Sequence, residues 1–193
     1  MTSDPTELVR SIFEAALDAH RRFAAGGFGS VVQATTAIER ALKAGGKVLA
    51  FGNGGSAADA QHFVSELVGR FEVERGGLPA IALTTDSSVV TSIANDYGYQ
   101  HVFSRQIRAL GRTGDVALGI STSGRSANVE AALAGAKAGG LVTIALTGRD
   151  GGRMGADADI HLNVAEQSTA RVQEVHRTIL HAICALIDRQ AGA

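Results

Sequence analysis

The sequence is poor in residues that do specialised structural work. Of 193 residues one is cysteine, two are proline and none is tryptophan, and aromatic residues make up 5%. A single thiol, Cys184, excludes a disulfide framework and a thiolate-held structural zinc. It falls in an apolar helical pattern, so a core or interface position in a reduced, cytoplasmic protein is expected. A formal net charge of −1 argues against binding nucleic acid by bulk electrostatics, and any phosphate must be held by geometry. No run reads as a membrane span and no leading segment has the form of a signal peptide. What the chain does have is aliphatic residues and 24 glycines. That length and composition suit one domain, 1–193, with a well-buried core.

The organising stretch is Val48 to Arg70, VLAFGNGGSAADAQHFVSELVGR. Val48 to Phe51 is a short apolar run, Gly52-Asn53-Gly54-Gly55 is a strong turn signal, and Ser56 suits the N-cap of a following helix. Backbone N–H groups at a helix start make a ready anion cradle. Further along, His62 and Glu66 stand at i and i+4 and so share a face. Strand patterns at 79–83, 116–120, 142–146 and 159–164 alternate with helical patterns at 87–93, 101–110, 128–138 and 168–189, with a glycine-rich loop through Gly155. This predicts an α/β fold, a doubly wound, mostly parallel sheet covered on both faces.

Two further helices precede the sheet within residues 1–45. The first carries Leu8, Val9, Ile12, Phe13, Ala16 and Leu17 on one side, and the second turns Val31, Val32, Thr35, Ile38 and Leu42 inward. A small domain has little room for both stripes, so this pair is expected to pack against another subunit.

KVLAFGNGGSAADA and DVALGISTSGRSANV share a layout of polar residue, apolar strand, small-residue turn and helix start. Ligands of open α/β sheets bind beyond the carboxyl ends of strands, so two such turns could face one ligand. Ser121, Thr122, Ser123 and Ser126 supply hydroxyls suited to a phosphate monoester, although an ordinary turn with Ser126 as N-cap would also use them. Neither turn has a dinucleotide or Walker A pattern. On the last helix Gln173 precedes His181 by roughly 12 Å of axis, so both reach one ion only if it sits between them or they come from different subunits. His20 and His176 read as structural or surface residues, and His101 and His161 have no evident partner.

With FGNGGSAADAQHFVSELVGR, IANDYGYQHVFSRQ, GISTSGRSAN and RVQEVHRTILH in hand, the chain resembles the sugar isomerase (SIS) domain family, and within it the phosphoheptose isomerases. The motifs span about Ala44 to Leu186, and the N-terminal helices match by layout. The resemblance implies a homotetramer with active sites at subunit interfaces. It implies interconversion of D-sedoheptulose 7-phosphate and D-glycero-D-manno-heptose 7-phosphate through an enediol, in heptose supply for lipopolysaccharide and other surface glycans. It places metal ligands on His62, Glu66, Gln173 and His181, with one zinc per subunit. Substrate contacts fall on Asn53, Gly54, Gly55, Asn95, Asp96, Ser121, Thr122, Ser123 and Ser126, with Glu66 and Gln173 shared and Ser56 taken with them.

Glu66 and His181 are the acid/base pair in this reading, and Arg70 either stabilises an enediolate or pairs with Glu66. Ala170 stands where some members have an aspartate. The family also includes a non-catalytic tetramer that binds the bacterial replication initiator protein, and other SIS enzymes act on other sugar phosphates. The non-catalytic relative lacks the acid and histidine that match Glu66 and His181, so their presence here favours the enzyme.

Overall fold

The five expected strands form one sheet. β1 (Val48–Gly52), β2 (Ala80–Ala82), β3 (Val116–Ser121), β4 (Val142–Gly148) and β5 (Ile160–Val164) lie in the order β2-β1-β3-β4-β5, and every neighbouring pair is parallel. This computed structural model describes residues 4–191, so the first three and last two residues of the expected domain lie outside the described residues.

Side chains alternate across the sheet and feed two separate cores. Val48, Ala50, Val116, Leu118 and Ile144 pack against α2 (Gly29–Lys43), α3 (Gly55–Val68) and α8 (Thr169–Ala191). Leu49, Phe51, Ala117 and Ala145 meet α5 (Val102–Leu110) and α6 (Ala127–Ala138), flanked by α4 (Ser87–Tyr97) and α7 (Gly152–Asp157). Strands covered on both faces are apolar at most positions, and the polar exceptions are hydrogen-bonded, as Thr143 is to Asp159 and Thr147 to His161. Phe51 and Phe63 are fully buried, each contributing about 1.5–3 kcal/mol by removal from water.

The chain leaves β1 through α3 to β2 on one side, then returns to β3 on the other side of β1 and continues through α6 to β4. The carboxyl ends of β1 and β3 therefore flank the point where the winding reverses. In open sheets this crevice is where ligands bind.

Several local expectations change. The glycine-rich loop holds a short helix, α7, anchored by the buried Met154. α4 is capped at its start by Asp86, which accepts from the Val89 N–H at 2.9 Å, and it runs through Tyr97 instead of stopping at Ile93 because nothing breaks it before Gly98, whose φ of 89° ends it. On α2 the buried stripe is Val31, Ala34, Thr35, Ile38 and Ala41, and Val32 lies off it on the exposed side. α1 (Pro5–Ala25) is capped by Asp4, which accepts from the Thr6 N–H at 3.0 Å. It buries Ala19 but leaves Leu8, Val9, Ile12, Phe13 and Leu17 at least 45% exposed. Among the described residues no helix is long and apolar enough to cross a membrane.

Candidate active site

The two small-residue turns lie side by side at the reversal point. After β1 the backbone swings through Gly54, whose φ of 56° costs a glycine little, and α3 begins at Gly55. Gly54, not Ser56, is thus the N-cap. Ser56 falls inside the first turn and is buried. Gly55 is needed for a second reason, since a Cβ there would lie 2.3 Å from the Gln173 side-chain nitrogen. The Gln173 amide therefore rests on the first turn of α3.

In the second turn Ser121 and Ser126 share a hydrogen bond at 2.9 Å, and the Ser123 hydroxyl lies 3.3 Å from Ser121 and accepts from the Arg125 N–H at 3.2 Å. Ser126 occupies the N-cap position of α6, but its hydroxyl turns to Ser121 and makes no cap bond. Thr122 is partly buried in the same turn. A reciprocal amide pair joins the two turns, Asn53 to Asn128, with both bonds at 2.9 Å.

Deeper along α3, three side chains converge. The Nε2 atoms of His62 and His181 are 2.7 Å apart, and His62 Nε2 is 3.4 Å from a Glu66 carboxylate oxygen. Burial first, then the neighbouring His62 and Arg177, holds His181 below the ordinary imidazole range, while Glu66 and Asp59 pull the other way. A neutral ring at neutral pH keeps a lone pair with which to take a proton or hold a cation. Asp59 binds Arg177 at 2.6 Å across the same pair of helices.

Gln173 stands apart from this group within one chain. It meets Gly55, and two turns of α3, about 10 Å, separate that residue from His62. Asn95 and Asp96 are exposed in the last turn of α4 and bond to each other at 2.8 Å. That segment reaches the site through Tyr99, whose hydroxyl donates to Asn53 Oδ1 at 3.1 Å.

Known proteins of similar sequence share this fold. The SIS domain pattern matches residues 13–148. A phosphoheptose isomerase of Halorhodospira halophila is 59% identical over 162 residues, 82% of each chain. Of solved structures, a phosphoheptose isomerase from Neisseria gonorrhoeae superposes with a TM-score of 0.91 at 47% identity, covering 96% of this chain and all of that one. Another from Francisella tularensis gives 0.93 at 39% identity over 97% of this chain and all of that one. The chain belongs to the SIS domain family, in its phosphoheptose isomerase branch.

In that family setting the donor set can be tested for zinc. Two imidazole nitrogens and a carboxylate oxygen are suitable zinc donors in kind. With Zn–N near 2.0–2.1 Å, two nitrogens on a tetrahedral ion stand roughly 3.3 Å apart, so His62 and His181 would separate by about half an ångström. Among the described residues no group of three or more His, Cys, Asp and Glu side chains is arranged to hold a metal ion as it stands. In donor type, two imidazoles and a carboxylate fit the ion.

Other residues of this SIS domain are tied in ways the sequence did not disclose. Arg75 donates to the backbone carbonyls of Glu66 at 2.8 Å and Leu67 at 2.9 Å, and to Asp188 at 2.8 Å. Asp188 also accepts from the N–H groups of Glu72 and Val73. The segment so held lays the Phe71 ring 5.5 Å from that of His181. Arg70 pairs with Glu74 at 3.5 Å instead of Glu66. His161 has a partner after all, the Thr147 hydroxyl at 2.7 Å. His20 bonds Thr178 at 2.9 Å, and His176 is buried on the Thr147 carbonyl, burial pushing its pKa down to about 4. Cys184 is a core residue whose thiol burial pushes up to about 12. The spacing Asp59, His62, Glu66 on one helix face was a readable signal for Asp59.

Proposed function

We propose that the protein is a phosphoheptose isomerase that interconverts D-sedoheptulose 7-phosphate and D-glycero-D-manno-heptose 7-phosphate, as a cytoplasmic homotetramer whose sites lie at subunit interfaces. The observation that carries this reading is the convergence of Glu66 and His181 on His62 beside the two anion-type turns. The names of the most similar relatives support the substrate. The exposed apolar stripe of α1 supports association.

In this reading the Ser121, Thr122, Ser123 and Ser126 turn and the α3 start hold the phosphate. Asn53, Asn95, Asp96 and Gln173 contact the sugar. Glu66 and His181 share the proton transfers: one removes the C1 proton of the open-chain ketose, the enediol forms as protons shift between O1 and O2, and a proton returns to C2. The Phe71 ring, 5.5 Å from that of His181, would shield one side of it. His62, Glu66 and His181 would hold zinc, with Gln173 joining from a neighbouring subunit or after a shift of its side chain. Bound there, the ion would polarise the carbonyl and diol oxygens.

The test is conversion of sedoheptulose 7-phosphate by purified protein untreated, after chelation, and after zinc is restored. Activity lost and regained supports both the reaction and the metal. Activity indifferent to chelation keeps the isomerase and removes the zinc. No activity in any arm overturns the reading. For the phosphate turn, Ser123→Ala removes one of its hydroxyls and is expected to raise KM about 5- to 10-fold with little change in kcat, by loss of a bond to a charged group. Steady-state kinetics checks this, and an unchanged KM takes Ser123 out of the phosphate site.

A further inference from the structure

The reciprocal amide pair at the reversal point has a consequence for how Asn53 can meet a ligand. A carboxamide has two acceptor lone pairs on oxygen and two N–H donors. Asn53 Oδ1 accepts from Asn128 Nδ2 at 2.9 Å and from the Tyr99 hydroxyl at 3.1 Å, so both lone pairs are taken. Asn53 Nδ2 gives one hydrogen to Asn128 Oδ1 at 2.9 Å. One N–H is left. Asn128 is 5% exposed near the start of α6, so its amide is buried against Asn53. Tyr99 approaches from the short turn after α4 and is itself half exposed.

Resting on the isomerase reading above, we propose that Asn128 and Tyr99 are positioning residues that fix the Asn53 carboxamide so that it meets the sugar phosphate only as an N–H donor. The oxygen that suits this donor carries negative charge, as the phosphate and an enediolate do, because hydrogen bonds to ionised acceptors are the stronger ones. A freely rotating asparagine could equally turn its carbonyl to that oxygen and repel it. Asn128 lies 75 residues from Asn53 in sequence, and the two meet because β3 is laid beside β1.

A double-mutant cycle tests this. Asn53→Ala is expected to lower kcat/KM about 10- to 100-fold, the range for one bond to a charged acceptor. Asn128→Leu alone should lower it about tenfold, yet cause no further loss in the Asn53→Ala background, since it acts through Asn53. Equal losses in both backgrounds would assign Asn128 a merely structural role and overturn the proposal, as would an unchanged Asn128→Leu enzyme. Tyr99→Phe should cost less, about 2- to 3-fold, because Asn128 still holds the amide.

A second readout does not need turnover. In 15N-labelled protein without ligand, one Asn53 side-chain proton should be protected from solvent exchange and the other not, and Asn128→Leu should remove the protection. Two protected protons would mean that the carbonyl is the free group, and would sink the proposal even if the enzyme proves to be an isomerase. Absence of isomerisation with one protected proton would instead remove the isomerase reading and leave the amide orientation standing.

Discussion

Glu66→Gln is expected to cut turnover of sedoheptulose 7-phosphate by about 10²- to 10⁴-fold, the usual contribution of a positioned acid or base. The change is isosteric, so packing along α3 is kept, and Arg75 still holds the residue 66 carbonyl because that bond is to the backbone. What is lost is the capacity to accept a proton and a negative charge 3.4 Å from His62. His181→Ala should be as severe, since it removes the ring that meets His62 and leaves Phe71 facing a gap. Two measurements check this: kcat, and incorporation of solvent deuterium at C1 and C2, which follows the carbon-bound proton directly. If either variant exchanges deuterium at a near-normal rate, it is not part of the proton-transfer pair. A thermal melt alongside should show the fold intact for Glu66→Gln.

The largest effect on stability is expected from Asp188→Ala. Asp188 and Arg75 are 3% and 5% exposed at the side chain, and their contact at 2.8 Å joins the end of α8 to the segment after α3. Removing one partner of a buried pair leaves the other charge stranded, at a cost of about 3–5 kcal/mol. The Glu72 and Val73 amides lose their acceptor too. Denaturant unfolding measures the loss, and one below about 1 kcal/mol, as for a surface pair, would show that water replaces the carboxylate easily.

The same pair has a pH signature. Burial alone would push the Asp188 carboxyl up, but the Val73, Arg75 and Glu72 hydrogen bonds outweigh it and hold it below its ordinary 3.8. A carboxyl with a lowered native pKa adds stability above the unfolded value, and that increment is lost as pH falls from about 3.8 through the native value. Asp188→Asn should therefore flatten the acid limb of the stability curve.

The strands and their order along the chain were legible because a parallel strand buried on both faces leaves few polar positions, as in VALGI of β3. α7 was not, since GRMGAD has one large apolar residue and no period. Ser56 was misplaced as a cap because a glycine at positive φ competes for that position, and nothing in composition says which residue takes the turn. The two turns and the His62, Glu66 face could be read because each is local. The links among distant segments could not. Asn53 to Asn128, Arg75 to Asp188 and Phe71 to His181 depend on which strand lies beside which and on how α8 crosses α3, and those are properties of the folded sheet. Tyr99 lies within IANDYGYQHVFSRQ, yet its partner Asn53 is on the turn after another strand.

α3 carries the anion-type turn at its start and the His62, Glu66 group two to three turns on, and on α8 Gln173 and His181 repeat nearly the same interval. With phosphate at one end and chemistry at the other, the rigid helix becomes a ruler of about 10 Å laid along the substrate. Under the proposed function, a sugar phosphate would be measured by its carbon count before any hydroxyl is inspected, and shortening the chain would withdraw the carbonyl from the proton-transfer groups while the phosphate stayed docked.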